Sequence, residues 1–165
     1  MKKRAFHVLF AVVFTSSVLM LVVGSCTDED DDPSADREAR NREVVTRLIN
    51  EGLNNKNSDI ALELAAPNFV DGDAFPDQPA GSEGLRFHFD VINNAIPDLQ
   101  VTFSLVVEGN TVVEEWTGTG NLVIDFATSD RLPSPIPITQ NGITVFELND
   151  EGLITERRTF QRGEQ

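Results

Sequence analysis

The apolar residues of the first half of the chain recur at helical spacing. Between residues 34 and 53, the positions that carry this pattern are Val44, Val45, Leu48, Ile49 and Leu53. Intervals of three and four residues, with charged residues between them, predict an amphipathic helix. A short second helix is predicted to begin after Ser58 and to stop before Pro67, and a third to run over residues 82–94. Between them, Phe69 and Val70 indicate a short strand.

Beyond residue 98 the apolar period changes to two. Alternation over residues 99–107 predicts a half-buried strand, and Gly109-Asn110 predicts a tight turn into the next strand, 111–126. The proline-rich stretch at 132–135 predicts a loop before two further strands, around residues 143–146 and 153–160. Helices followed by strands predict an α+β domain. We expect a cone-shaped roll, in which three N-terminal helices pack on one face of a curved antiparallel sheet.

The first 26 residues have the pattern of a secretory signal. A basic start is followed by an apolar run, 5–23, and by small residues up to Cys26, the only cysteine. The segment resembles a bacterial lipoprotein signal with its lipobox, which implies that Cys26 is acylated and that the peptide bond before it is cut. An uncleaved membrane helix is the alternative, since about 20 apolar residues are enough to span a bilayer.

The sequence therefore predicts three parts: a signal peptide at 1–25, a lipidated and acidic tether at 26–36, and a folded domain at 37–165. The tether holds a block of like charges at 27–33 that cannot fold on itself. This block is either a spacer or, by resemblance, a lipoprotein surface-export signal. We expect a bacterial cell-envelope protein that is lipid-anchored and faces away from the cytoplasm, at the outer membrane or cell surface if the cell is Gram-negative.

The composition limits the kinds of partner that the protein can bind. The chain has 27 acidic against 13 basic residues and a net charge of −14, which disfavours nucleic acid as a partner. After signal removal, His88 is the only histidine, so no His-rich or thiolate metal set can form. There is also no glycine-rich phosphate loop. We expect no metal and no cofactor, and partners limited to a small apolar molecule, the membrane through the lipid anchor, and a second copy of the chain as a candidate homodimer.

Three polar side chains are candidates for catalysis or ligand binding. His88 lies on the apolar stripe of the third helix, as a hydrogen-bonded core residue or as a base or donor in a pocket. Glu114 shares a strand face with Trp116, so it is either a buried catalytic base or an ordinary solvated carboxylate. Arg158 alternates with Phe160 and could meet Glu114 across the sheet, as a structural ion pair or as a donor to a ligand.

Further candidates line the expected pocket. Asp71 lies in the loop at the predicted pocket mouth, where a turn-forming aspartate is the alternative interpretation. Large apolar side chains are expected mainly in the core, with one or two at the edge of a cavity. These residues are Phe69, Phe87, Phe103 and Trp116.

Short motifs in a fixed order carry a family resemblance that covers nearly all of residues 41–161. The motifs are Glu83-Gly84-Leu85, Ile96-Pro97-Asp98-Leu99, Glu108-Gly109-Asn110, Trp116-Thr117-Gly118 and Glu151-Gly152-Leu153-Ile154-Thr155-Glu156. With them the chain resembles the SnoaL-like polyketide cyclases of the nuclear transport factor 2-like superfamily. The resemblance implies the cone-shaped fold and a carboxylate that abstracts a proton next to a carbonyl.

The chain differs from the family at three polar positions. Gly72 stands where the family usually has histidine, Asn121-Leu122 replaces a Thr-His pair, and Gln161-Arg162 falls where an aromatic-Asp pair is expected. We therefore expect a tethered domain that binds a small apolar ligand without the usual cyclase site. The alternative is an active cyclase, or a related isomerase or hydrolase, with a carboxylate base.

Overall fold

A computed structural model describes residues 33–161 of the 165-residue chain. The predictions for Cys26 and for most of the tether lie outside the described residues. The helices are α1 (Pro33–Arg47), continued by a π-helical segment (Leu48–Asn54), then α2 (Ile60–Leu64) and α3 (Ser82–Ala95). The strands are β1 (Ala65–Asp71), β2 (Gln100–Glu108), β3 (Thr111–Ile124), β4 (Arg131–Leu148) and β5 (Ile154–Gln161). The α+β prediction is confirmed.

The five strands form one sheet in the order β1-β5-β4-β3-β2. Strands β2 to β5 are antiparallel neighbours, whereas β1 pairs in parallel with β5. The prediction of a wholly antiparallel sheet is therefore wrong at this edge. A parallel pair needs a long crossover connection, and here α3 and the three intervening strands supply it.

The prediction of a loop at 132–135 is also wrong, because β4 begins at Arg131 and continues through three prolines. In this part of β4, Arg131 and residues 136–138 lie opposite residues of β3, and β5 joins β4 only from Gly142 onward. Proline has no N–H to donate and is tolerated on an open strand edge. Pro133 and Pro135 fall within a bulge of β4, between Arg131 and Ile136, and Pro137 lies opposite Asn121.

The core lies between the helices and the inner face of the sheet. Its largest fully buried apolar side chains come from α1 and its π-helical continuation, from α3, and from β3, β4 and β5: Val45, Leu48, Leu85, Phe89, Val112, Phe146 and Ile154. A polar contact fixes the helix to the sheet, because the fully buried Asn41 side chain donates to the Gly109 carbonyl at 2.9 Å. Within residues 33–161, no helix is long and apolar enough to cross a membrane.

Candidate functional site

A cavity of about 540 Å³ lies between the helices and the inner face of the sheet. This volume is typical of pockets that take small molecules. Most of its wall is apolar: Ile49, Leu53, Phe89, Ile92, Ile96, Leu99, Val101, Trp116, Ile138 and Phe146. The titratable groups at its surface are Asp73, His88, Glu114 and Arg157.

Glu114 is a buried carboxyl group in the cavity wall. It sits on β3, opposite Leu105 of β2 and Thr144 of β4, and is 2% exposed. Burial raises its pKa from 4.5 to about 7, although the positive charge of Arg157 and a hydrogen bond with Thr144 act in the opposite direction. Within residues 33–161, no ion pair joins Glu114 to a basic side chain. Glu114 is therefore a carboxyl group that can exchange a proton near neutral pH.

A hydrogen-bond network fixes the surroundings of Glu114. The indole nitrogen of Trp116 donates to the Thr144 hydroxyl at 3.0 Å, and the hydroxyls of Thr144 and Thr159 lie 3.3 Å apart. Trp116 can lie against β4 because Gly142 faces it. A Cβ on Gly142 would stand 2.8 Å from the indole ring. This packing holds one aromatic wall of the cavity beside the carboxyl group.

Asp71, His88 and Arg157 form a second polar cluster at the cavity. The Arg157 guanidinium donates to the Asp71 carboxylate at 3.1 to 3.3 Å, and Asp71 also accepts from Gln78 at 2.8 Å. The Asp71 side chain is 2% exposed. Burial alone would raise the pKa of Asp71, but the His88 hydrogen bond and the Arg157 charge hold it well below its usual value. Asp71 is thus an ionised carboxylate enclosed by its partners.

His88 is neutral in this cluster. Burial and the positive charge of Arg157 lower its pKa, while Asp71 and Asp73 partly oppose the change. Its Nδ1 lies 3.1 Å from an Asp71 oxygen, and its Nε2 lies 2.9 Å from Nη2 of Arg157. Nη2 also lies 3.2 Å from Nδ1. Because an ionised carboxylate only accepts and arginine only donates, Nδ1 carries the hydrogen toward Asp71 and Nε2 accepts from Arg157.

The mouth of the cavity is flanked by two phenylalanines. Phe75, from the loop after β1, stacks on Phe126 from the β3–β4 turn with ring centroids 5.9 Å apart, and packs on the His88 ring at 4.6 Å. Asp73 of the same loop accepts a hydrogen bond from the Thr159 backbone. Neither phenylalanine was predicted, because nothing local in the sequence indicates that these two turns meet.

The structure brings three of the predicted residues to the cavity: Glu114, His88 and Trp116. Asp71 lies behind the wall and acts on it through His88 and Arg157. The other predicted aromatic residues lie outside the lining. Phe69 is in the core, Phe87 is half-buried on α3, and Phe103 packs against the core on β2.

The prediction that Arg158 meets Glu114 across the sheet is wrong. Arg158 is 54% exposed and pairs with Glu156 at 2.9 Å, on the side of β5 that faces away from the cavity. Its neighbour Arg157, which the sequence analysis missed, is buried and lines the cavity with Glu114.

A bulge in β5 explains why Arg157, and not Arg158, faces the cavity. Glu147 pairs with Glu156 and Leu148 with Ile154, so Thr155 has no residue opposite it in β4. An extra residue in one strand shifts the alternation of side chains beyond it. Ile154 and Arg157 therefore both face inward although they are three positions apart.

Residues 33–161 hold no group of three or more His, Cys, Asp or Glu side chains that could bind a metal ion. The polar groups of the cavity are instead suited to hydrogen bonding and proton transfer. A buried carboxyl group, a neutral imidazole and a guanidinium surround an apolar space.

Solved structures similar to this chain share its fold. A protein from Jannaschia sp. CCS1, described as a SnoaL-like polyketide cyclase, is 28% identical with a TM-score of 0.64, over 76% of this chain and 87% of that one. TsrD from Streptomyces laurentii is 21% identical with a TM-score of 0.63, over 74% and 88%. IdmH from Streptomyces antibioticus, described as a polyketide cyclase, is 23% identical with a TM-score of 0.58, over 73% and 91%.

Among curated proteins, no sequence matches the chain. The family model for SnoaL-like polyketide cyclases matches residues 43–161, which is more than half of the chain and includes every residue that lines the cavity. The resemblance inferred from the short motifs is thereby confirmed. The chain belongs to the SnoaL-like polyketide cyclase family.

Proposed function

We propose that this domain binds a small, mostly apolar molecule in the cavity between the helices and the sheet. The observation that supports the proposal is the cavity itself: about 540 Å³, with a wall of aliphatic and aromatic side chains. Because protein interiors are normally close-packed, we infer that this space is a binding site and not a gap in the packing.

Trp116 gives a direct test of binding. It is the only tryptophan in a chain without tyrosine, and it lines the cavity. Titration with the neutral fluorophore N-phenylnaphthylamine should quench Trp116 by energy transfer and saturate at one probe per chain. The test variant is Gly118→Leu, whose side chain would occupy part of the cavity beside Trp116 and should weaken binding. Non-saturating quenching, equal in both proteins, would contradict the proposal.

Proton abstraction by Glu114 is a second candidate function. A base that takes a proton from a substrate carbon works best when it is desolvated and when its pKa lies near the working pH, and Glu114, with a pKa of about 7, satisfies both conditions. Its carboxylate would take a proton from the carbon beside a carbonyl, and the electron pair would move onto the carbonyl oxygen. The Arg157 guanidinium lines the same cavity and can donate to that oxygen.

Hydrogen exchange into a simple ketone tests this second function. The protein is incubated with 2-tetralone in D₂O, and loss of the proton signal next to the carbonyl is followed by NMR. We expect exchange above the buffer rate that increases with pH through about 7 and falls by about 100-fold or more in Glu114→Gln. Equal exchange in the two proteins would show that Glu114 is not the base.

We further propose that the mature protein is anchored to the membrane of a bacterial envelope through lipid on Cys26. The support is the basic start, the apolar run and the small residues before Cys26. Cys26→Ser should accumulate as an unprocessed precursor that takes up no labelled fatty acid. Labelling of the serine variant at the level of the parent would contradict the assignment.

A further inference from the structure

The cavity surface has more acidic than basic side chains. Of the four titratable side chains at its surface, Asp73 and Glu114 are acidic, His88 is neutral and Arg157 is basic. The basic group is the one that would attract an anion. Whether the cavity can hold an anionic ligand therefore depends on what Arg157 already binds.

Arg157 is already occupied by a carboxylate of the protein. Its Nε and Nη2 donate to Asp71, and the same Nη2 contacts Nε2 of His88 at 2.9 Å. Both partners of the ion pair are nearly enclosed, with side-chain exposures of 8% for Arg157 and 2% for Asp71. The positive charge is thus balanced within the wall by Asp71, although it still acts on Glu114. Among the residues described, Nη1 of Arg157 has no hydrogen-bond partner, and because Arg157 lines the cavity this group is left to donate to a ligand.

Among the residues described, the two acidic groups of the cavity have no ion-pair partner. Glu114 has no basic partner within residues 33–161, and Asp73 accepts only a backbone N–H from Thr159. An anion that enters would lose its hydration in an apolar space, meet a guanidinium that is already paired with Asp71, and face two acidic side chains. A neutral ligand would avoid all three costs, and a carbonyl oxygen on it could accept from Nη1 of Arg157.

We propose that the cavity selects neutral ligands with a hydrogen-bond acceptor and rejects carboxylates, sulfonates and phosphates, and that the Asp71–Arg157 pair determines this selectivity. The inference rests on the proposed function, since it names the class of molecule that the same cavity takes. The Asp71 carboxylate acts as an internal counter-ion to Arg157, and it thereby keeps the cavity from binding anions.

Two fluorophores with the same ring system test the inference. N-phenylnaphthylamine is neutral, and anilinonaphthalene sulfonate adds one negative charge to it. Both are titrated into the purified protein in about 0.5 M salt, where screening reduces the influence of the overall negative charge to a few Å. We expect the neutral probe to bind at least about tenfold more tightly. Equal affinity, or tighter binding of the sulfonate, would overturn the inference while leaving ligand binding intact.

Variants locate the source of the selectivity. Asp71→Asn releases the positive charge of Arg157, so the affinity ratio of neutral to anionic probe should fall by at least about tenfold. If this variant fails to fold, Asp73→Asn removes a surface carboxyl group instead and should lower the ratio by a few-fold. A ratio that stays constant in the folded variants would overturn the role of these charges.

A control separates the cavity from the outer face of the sheet. Phe160 is 61% exposed there, and Phe160→Ser should leave both affinities unchanged if the probes bind inside. Loss of binding in this control would place the probes outside and overturn the inference. Absence of binding by either probe to the parent protein would instead refute the proposed function, and the inference with it.

Discussion

Replacing Glu114 with glutamine should change how the stability of the domain depends on pH. The unfolded chain releases this proton near its ordinary pKa of 4.5, whereas the folded protein holds it up to about 7. Between these values the unfolded state binds fewer protons, so the free energy of unfolding decreases as the pH rises and becomes level above about 7. Glutamine has nearly the same shape and no proton to lose, so the variant lacks this decrease.

The size of the effect follows from the pKa. One pKa unit corresponds to about 1.4 kcal/mol, so a change from 4.5 to about 7 corresponds to about 3 kcal/mol. The two proteins should have similar stability at about pH 4, where the carboxyl group is protonated in both folded and unfolded chains. By about pH 8 the Gln variant should have gained about 3 kcal/mol relative to the parent.

Urea unfolding measures this difference, with Trp116 fluorescence and far-ultraviolet circular dichroism as two probes. The matched control is Glu115→Gln, which makes the same change on the exposed side of the same strand. Taking the difference between variant and parent at each pH cancels the titration of all other groups. If the Glu114→Gln difference is the same from about pH 4 to 8, the carboxyl group is not desolvated in the folded protein, and the argument from burial fails.

Three other predictions concern the fold. Asp71→Asn leaves the buried guanidinium of Arg157 without its counter-charge and should lower the free energy of unfolding by about 3 to 5 kcal/mol, measured in urea; Arg157→Met in the same chain should restore part of the loss. Asn41→Ala removes the donor to the Gly109 carbonyl and should cost about 1 to 3 kcal/mol, measured in the same way; no change would mean that water replaces the side chain. A chain that begins at Pro33 should melt within a few degrees of one that begins at Cys26, because the acidic tract has no apolar side chains to bury; a large difference would show that the tract packs on the domain.

The local parts of the fold follow from the sequence. The helices on residues 34–52 and 82–94 were predicted within a few residues because their apolar stripes repeat every three or four positions, and such a stripe reports the face that is buried. The Gly109-Asn110 turn was predicted because it needs a positive φ, which glycine adopts readily. Strand alternation placed Glu114 on the same face as Trp116 but did not decide whether that face is buried, and the short motifs identified the family.

Other features depend on pairing between distant parts of the chain. The bulge at Thr155 exists only because β5 pairs with β4, and it decides that Arg157 faces the cavity and Arg158 faces solvent. The prolines of β4 lie in a part of the strand that β5 does not reach, and Asp71 reaches Arg157 because β1 lies parallel to β5. The sequence alone thus determined most of the elements, the family and the strand face that Glu114 shares with Trp116. The tertiary structure decided which charges meet, because side-chain direction in a strand depends on the register with its partners.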